Sequence, residues 1–256
     1  MSGLQLGLGL LSIGRTWGVQ KSKPPSRQNA FHLLETALEL GISFFDTAPA
    51  YGDSEEIFGA FIHAHGIGRE ITIATKFGEH WLGPKTPTKV DHSTKALINS
   101  LERSQELLGR IDILQIHKAN PQNIASDSVL QAIEHAKSAG VKEFGASVSD
   151  IDTALAVSAL DAFRYVQFPL NTENTEFMPI LEILAGSDTI PIINRPFNMG
   201  SVVGAAASPL NKSKTAFEFL HNSLSSGIVL TGTGRTVHLR ENTHNFNACT
   251  AKGEAR

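Results

Sequence analysis

Hydrophobic and polar positions follow two alternating periods along the chain. Short, nearly continuous apolar runs, such as ISFFD (42–46), EITIATK (70–76) and IDILQIH (111–117), are typical of strands covered on both faces. Between these runs, apolar residues recur every three to four positions, as in SRQNAFHLLETALELG (26–41), which is typical of amphipathic helices. The pattern therefore predicts that strands and helices take turns.

Residues at the ends of the first two helical segments support this interpretation. Ser26 follows two prolines and is a suitable N-cap, and Gly41 stands just beyond the last periodic leucine. Asp53 precedes the second helical segment, and Glu56 stands three residues later, which predicts a capping box. Both helices are thus expected to begin at short polar residues.

Eight strand–helix pairs can be counted in this way, and the chain has 256 residues. That number and that length favour a closed eight-stranded barrel over an open sheet. Without a linker or repeat, we expect a single-domain α/β protein, a (β/α)8 TIM barrel over residues 1–256. The segment GSVVGAAASPL (200–210) is rich in small residues and is predicted to form a loop over one face of the barrel.

Composition and charge argue against nucleic acid and membranes as partners of this chain. Hydrophobic residues make up 41% of the chain, and the formal net charge is -3, so no basic excess favours nucleic acid. No apolar run approaches the roughly 18 residues of a membrane span. The run LQLGLGLLSIG (4–14) is interrupted by glycines and preceded by no Lys or Arg, so we expect no signal peptide and a cytoplasmic protein. Cys249 is the single cysteine and cannot form an internal disulfide.

Candidate chemistry lies at the ends of three neighbouring strands. Asp46 ends the second strand, with Tyr51 shortly after it. Lys76 and His117 end the third and fourth strands. The carboxyl ends of barrel strands carry catalytic groups in this architecture. Reduction of a carbonyl requires a proton donor for the developing oxyanion, and a tyrosine beside a cation can be that donor, because the cation favours the phenolate.

These motifs resemble the signatures of the aldo-keto reductase family, with DTAPAYGDSEE (46–56), ITIATK (71–76) and ILQIH (113–117) in the same order. The resemblance spans nearly the whole chain. It implies Tyr51 as general acid and base, supported by Asp46, Lys76 and His117. It also implies direct transfer of the pro-R hydride from a nicotinamide dinucleotide, without a metal.

The resemblance extends to residues that would hold the nicotinamide. Ser147 and Gln167 occupy the positions that bind the carboxamide in the family. The Asn that often follows this Ser is replaced by Val148. Arg195 stands where an aromatic side chain often stacks on the nicotinamide, and a guanidinium plane can stack as well. A plain surface ion pair is the alternative for Arg195.

The last motif, TGTGRTVHLREN (231–242), is similar to the segment that binds the adenosine 2′-phosphate and adenine in the family. The residues that it indicates are Thr233, Arg235, His238, Glu241 and Asn242. Two frequent cations are replaced by Gly232 and His238. We therefore expect NADPH as the cofactor, bound moderately more tightly than NADH, which remains possible.

The expected partner is a small carbonyl or alcohol. Trp17 and Trp81 lie on loops after the first and third strands and are predicted to form walls of the substrate pocket. No N-terminal hairpin or long C-terminal tail is evident, which predicts an open pocket. The sequence leaves the substrate and the oligomeric state undetermined.

Other interpretations remain. The same machinery can act as an NAD-linked sugar or alcohol dehydrogenase, and a barrel of this kind can be a cofactor-binding regulatory subunit without turnover. The segments GLGLLSIG (7–14) and GTGRT (232–236) are weak Rossmann signals, because the first is followed by no helix opening at its third glycine. His63 and His65 suggest a metal pair, but a helix C-terminus favours histidine by its dipole.

Overall fold

A computed structural model describes residues 3–19, 21–201 and 209–253 and contains a closed barrel of eight parallel strands. The barrel strands are β1 (Gly3–Gly9), β2 (Phe44–Asp46), β3 (Thr72–Phe77), β6 (Ile113–Ile116), β7 (Glu143–Ser147), β8 (Tyr165–Pro169), β9 (Ile190–Asn194) and β10 (Ser226–Gly232). Neighbours in this order pair with each other, and β10 pairs with β1 to close the barrel. The predicted TIM-barrel architecture is confirmed.

Helices cover the outside of the barrel between successive strands. They are α1 (Leu11–Gly14), α2 (Arg27–Glu39), α3 (Ser54–His65), α4 (Thr94–Leu108), α5 (Asp127–Ser138), α6 (Ile151–Ser158), α7 (Met178–Ala185), α8 (Pro209–Ser223) and α9 (Thr236–Gly253). Two 3-10 turns span Pro49–Tyr51 and Asn198–Gly200. A small hairpin of β4 (Glu79–His80) and β5 (Lys89–Val90), which the hydrophobic pattern does not predict, follows β3.

The barrel interior is apolar below and polar at the carboxyl ends of the strands. The apolar layer spans more than one height along the barrel, since Ile228 and Leu230 stand two positions apart on β10, and its buried members are the strand residues Phe44, Ala74, Ile113, Tyr165, Ile192, Ile228 and Leu230. Side chains two positions apart on a strand point to the same face. Asp46, Lys76 and Gln115 therefore lie directly above Phe44, Ala74 and Ile113, at the carboxyl ends of their strands. The alternation places a polar layer above an apolar floor.

The first helix boundary agrees with the sequence prediction, and the second does not. Ser26 accepts a hydrogen bond from the backbone N–H of Asn29, and Gly41 has a φ of +79° just beyond α2. Asp53 precedes α3, but its side chain makes no capping bond. The predicted capping box is wrong, because the ψ of Asp53 is 10° instead of extended and Glu56 pairs with Arg27 at 3.6 Å.

The loops after β1 and β9 meet over the mouth of the barrel. The backbone N–H of Val19 donates to the carbonyl oxygen of Met199 at 3.2 Å. Most of the predicted loop 200–210 lies outside the described residues, and α8 begins inside it at Pro209. Within the described ranges, no helix is long and apolar enough to cross a membrane.

Candidate active site

A buried ion pair joins the ends of β2 and β3. Lys76 Nζ lies 2.7 and 2.6 Å from the two carboxylate oxygens of Asp46 and donates to the carbonyl oxygen of Thr47 at 3.0 Å. Gln115 Nε2 donates to Asp46 Oδ1 at 3.0 Å. Burial acts to lower the pKa of Lys76, but attraction by Asp46 and Tyr51 outweighs it and raises that pKa. Lys76 therefore keeps its charge in a fully buried position.

Tyr51 is held beside this pair by the 3-10 turn that follows β2. Lys76 Nζ lies 4.8 Å from the centroid of its ring. The chain turns sharply after it, because Gly52 has a φ of +65°. Burial raises the pKa of Tyr51 above 10, and the attraction of Lys76 offsets this only in part. Lys76 favours the phenolate, as expected from the sequence, but desolvation is the larger effect, so the phenol stays protonated at neutral pH.

His117 approaches Tyr51 from the end of β6. The two rings are 5.9 Å apart at their centroids and nearly perpendicular, with an interplanar angle of 84°. Burial lowers the pKa of His117 well below 6.5, and the nearby positive charges, led by Lys76, lower it further. The imidazole is therefore neutral at physiological pH.

Glu79 lies behind the imidazole and was not predicted from the sequence. Its Oε2 is 3.1 Å from His117 Nδ1, without the alignment of a hydrogen bond, and its Oε1 accepts from Thr88 Oγ1 at 2.6 Å. The carboxylate is buried on the unpredicted hairpin. Gln115 was missed too, although its position two residues before His117 gives it the same inward direction.

Ser147 and Gln167 are neighbours at the ends of β7 and β8. They are paired in register, and Gln167 is buried with no hydrogen-bond partner for its Oε1. Asn194, at the end of β9, likewise has a buried and unpartnered Oδ1. Val148 is buried, and its backbone N–H donates to the carbonyl oxygen of Gln167. Three polar side chains on successive strands thus face the mouth.

Arg195 and Trp17 lie close together at the mouth. Arg195 follows β9, is exposed, and has a φ of +53°. Its guanidinium lies 6.0 Å from the centroid of the Trp17 ring. Trp81 is half-buried on the other side, where its backbone N–H reaches the carbonyl oxygen of Pro49 at 3.4 Å. The backbone of Trp81 is thus tied to the turn that carries Tyr51, and the Trp17 ring lies beside Arg195, so a role of both tryptophans in a substrate pocket stays a prediction.

The segment between β10 and α9 begins with a tight turn. Thr233 Oγ1 accepts from the backbone N–H of Arg235 at 3.1 Å, and Asn242 Nδ2 donates to Thr231 Oγ1 at 2.8 Å. Arg235 and His238 are exposed, and Glu241 is half-buried. Partial desolvation of the ring and the charge of Arg235 lower the pKa of His238. The five predicted residues therefore share the first two turns of α9 and the loop before it.

Comparison with known proteins agrees with this geometry. The model of the "Aldo/keto reductase family" matches residues 5–246. The aldo-keto reductase YhdN of Bacillus subtilis is 32% identical over 177 residues, which are 66% of this chain and 48% of that protein. The aldo-keto reductase str7 of Strobilurus tenacellus is 28% identical over 217 residues, 80% of this chain and 61% of that protein. The chain thus spans about half to three fifths of these relatives.

Solved structures show the same fold. A Pseudomonas aeruginosa protein described as an aldo-keto reductase superposes with a TM-score of 0.81 at 23% identity, covering 96% of this chain and 90% of that one. The glycerol dehydrogenase AKR11B4 of Gluconobacter oxydans superposes with a TM-score of 0.77 at 19% identity, covering 94% and 86%. Together with the family match along almost the whole sequence, these findings show that the chain belongs to the aldo/keto reductase family.

Proposed function

We propose that this chain is a nicotinamide-dependent oxidoreductase that reduces aldehydes or ketones to alcohols, with Tyr51 as the proton donor. The observation that carries this proposal is the position of the Tyr51 ring, 4.8 Å from the Lys76 ammonium and 5.9 Å from the His117 ring. The family match supports the reaction class, since aldo-keto reductases use nicotinamide cofactors on small carbonyl compounds.

The protonation states suit this role. Tyr51 carries its proton at neutral pH, because burial raises its pKa. When the proton leaves, the Lys76 ammonium stabilises the phenolate, and Asp46 holds that ammonium in place. General acid catalysis needs such a donor beside the oxygen that gains charge.

His117 is suited to share the proton. The Glu79 carboxylate 3.1 Å from Nδ1 favours the tautomer with the proton on that nitrogen. Nε2 is then an acceptor, which can receive a hydrogen bond from the Tyr51 hydroxyl or from the product alcohol. This tautomer favours a proton relay between the two rings over donation from His117 to the carbonyl oxygen.

The residues at the other strand ends fit a nicotinamide dinucleotide. The unpartnered oxygens of Gln167 and Asn194 would accept hydrogen bonds from the carboxamide, next to Ser147. The bound cofactor supplies the hydride. Backbone N–H groups at the start of α9 and the exposed Arg235 suit a phosphate, which supports NADPH. A Schizosaccharomyces pombe relative, 26% identical over 217 residues, carries NADP(+) in its name.

The oxidative direction is the second candidate. L-galactose dehydrogenase of Arabidopsis thaliana is 29% identical over 167 residues, which are 63% of this chain and 47% of that protein. The same proton relay runs in reverse when Tyr51 accepts the proton of an alcohol. Initial rates with an aldehyde and with its alcohol, each with phosphorylated and unphosphorylated cofactor, decide the preferred direction.

Tyr51→Phe tests the proposed function directly. We expect kcat for benzaldehyde to fall about 10²–10⁴-fold, while NADPH affinity stays nearly unchanged, because the variant loses the proton donor and no expected cofactor contact. Tyr165→Phe is the matched control, since Tyr165 lies in the apolar layer below the site. Should Tyr51→Phe keep more than a third of the wild-type kcat, Tyr51 is not the donor.

A further inference from the structure

Arg15 has a fixed position at the mouth, although the sequence pattern does not single it out. It follows α1, and the backbone N–H of Asp53 donates to the carbonyl oxygen of Gly14 at 3.2 Å. A Cβ on Gly14 would overlap the Tyr51 carbonyl oxygen, and a Cβ on Gly52 would lie 3.1 Å from Arg15 Cβ. The backbone that carries Arg15 is therefore packed directly against the turn that carries Tyr51.

The Arg15 guanidinium lacks a counter-ion within the described ranges. Its Nε is buried and makes no hydrogen bond, and its only ring contact there is with Trp17, 5.8 Å from the centroid. Five other arginines pair with carboxylates at distances from 2.9 to 3.9 Å, namely Arg27, Arg103, Arg110, Arg164 and Arg240. A partly buried guanidinium without an anion is costly, so a ligand that brings one is favoured.

Arg15 and His117 lie near each other at the carboxyl ends of the barrel strands. Arg15 is one of the positive charges close enough to lower the pKa of His117, after burial and the charges of Lys76 and Lys118. Two carboxylates near His117 already have partners other than Arg15: Asp46 pairs with Lys76, and Glu79 accepts from Thr88 and lies 3.1 Å from His117 Nδ1. An anionic group on the substrate would therefore meet Arg15 without displacing an existing ion pair.

The dinucleotide is not the natural partner of Arg15. Its expected phosphate contacts are at the start of α9 and at Arg235, after the eighth barrel strand. Arg15 stands beside the turn after the second strand, and Arg195 approaches the Trp17 ring from the loop after the seventh. The Trp17 ring thus contacts two guanidinium groups. Arg15 approaches it from the side of Tyr51, and Arg195 approaches it from the side of the expected cofactor residues.

We propose that Arg15 binds a carboxylate of the substrate, so that the chain prefers carbonyl compounds that carry a carboxylate over their neutral analogues. This inference rests on the proposed function. A planar guanidinium matches a carboxylate with two parallel hydrogen bonds, and one positive charge compensates one negative charge. The Trp17 ring beside Arg15 offers an apolar face for the carbon skeleton between the carboxylate and the carbonyl.

The kinetic test compares 2- and 4-carboxybenzaldehyde with the corresponding carbamoyl benzaldehydes, which have the same shape without the charge. We expect the wild type to show a kcat/KM at least tenfold higher for one of the acids than for its amide. Arg15→Gln should raise KM for that acid about 10–100-fold and change KM for the amide less than threefold. Arg103→Gln, an exposed arginine on α4, is the matched control and should change neither.

A binding test separates this inference from the proposed reaction. Trp17 and Trp81 are the only tryptophans, so their fluorescence reports on the mouth when benzoate or benzamide is titrated without cofactor. Benzoate should bind Arg15→Gln at least tenfold more weakly than wild type, whereas benzamide should bind both equally. The inference is overturned if the wild type shows equal kcat/KM for both acids and their amides. It is also overturned if Arg15→Gln loses kcat/KM equally for the acid and the amide. Absence of turnover with intact benzoate binding overturns the proposed function instead.

Discussion

The two sides of the barrel mouth are built differently. On the side of β2, β3 and β6, Asp46, Lys76 and Gln115 are buried and bonded to each other at 2.6–3.0 Å. On the side of β9, β10 and α9, the side chains of Arg195 and Arg235 are exposed. Proton transfer needs positions fixed before the substrate arrives, so the first side is organised in advance. On the second side, the exposed side chains lose rotamer freedom only when a ligand binds.

Lys76→Met is expected to have the largest effect, because it breaks the organised side. It leaves Asp46 charged, buried and without its cation, which typically costs about 3–5 kcal/mol of unfolding free energy. It should also raise the pKa of Tyr51 further, since Lys76 is the charge that lowers it. Urea denaturation and the alkaline limb of the pH–rate profile measure the two effects.

The double variant Asp46→Asn/Lys76→Met is the control for this prediction. It removes both charges, so a good part of the lost stability should return while activity stays low. An alkaline limb at the wild-type position in Lys76→Met, or a double variant as unstable as the single one, would contradict the account of this ion pair.

The organised side also shows what the sequence could predict. Apolar runs identified all eight barrel strands, because burial on both faces leaves a strong local pattern. Asp46, Lys76 and His117 could be found because they end those runs. The β4–β5 hairpin was missed, since strands of two residues carry no periodicity. Glu79 was missed with it.

Interactions between distant segments were the least predictable. Arg15 has no signal in its own neighbourhood, because its significance depends on Tyr51, 36 positions later, and on the lack of an ion pair with any carboxylate in the described part of the chain. The net shift in the pKa of Tyr51 could not be predicted either, since the sequence shows the cation but not the degree of burial. The capping box at Asp53 failed for a similar reason, because the backbone there is set by the packing of Gly14 against Tyr51.

Arg235→Ala tests the exposed side of the mouth. Wild type should bind NADPH about 5–150-fold more tightly than NADH, because the guanidinium and local N–H groups meet the 2′-phosphate with charge-assisted hydrogen bonds. The variant should lose most of that difference and keep its NADH affinity. Fluorescence titrations with both dinucleotides measure this, with Arg240→Ala as a control farther along α9.

His238 adds a pH dependence to the same experiment. Its pKa lies below 6.5, so the preference for NADPH should begin to widen only below that pH, as the imidazole gains charge. The sequence alone predicts that the preference widens as the pH falls toward 6, and the partial desolvation of His238 moves this change to lower pH. Equal affinities for NADPH and NADH in the wild type, or an unchanged difference in Arg235→Ala, would show that the exposed side does not select the phosphate.

Glu55→Gln examines the support beneath the organised side. Glu55 is buried and accepts from Thr75 Oγ1 at 2.6 Å, and burial raises its pKa to about 6 from 4.5. A raised pKa means that its contribution to stability is complete below pH 4.5 and is lost as the pH rises through 6. The variant stays neutral, so its stability relative to wild type should increase by about 2 kcal/mol between pH 4.5 and 8. Glu56→Gln, exposed on the same helix, should show no such trend in urea denaturation.

Arg195→Ala should have the smallest effect, because the contact that it removes is exposed. If the guanidinium packs on the nicotinamide as it now packs near Trp17, its loss should weaken NADPH binding only about two- to fivefold, in line with about 0.5–1 kcal/mol for an exposed cation–π contact. Arg195→Lys is the matched variant, since it keeps the charge and loses the planar face, and should resemble the alanine variant. Isothermal titration of all three proteins with NADPH measures the difference. Equal dissociation constants for wild type and Arg195→Ala would show that Arg195 is an ordinary surface charge. Wild-type affinity in Arg195→Lys would show that Arg195 acts through its charge and not through stacking.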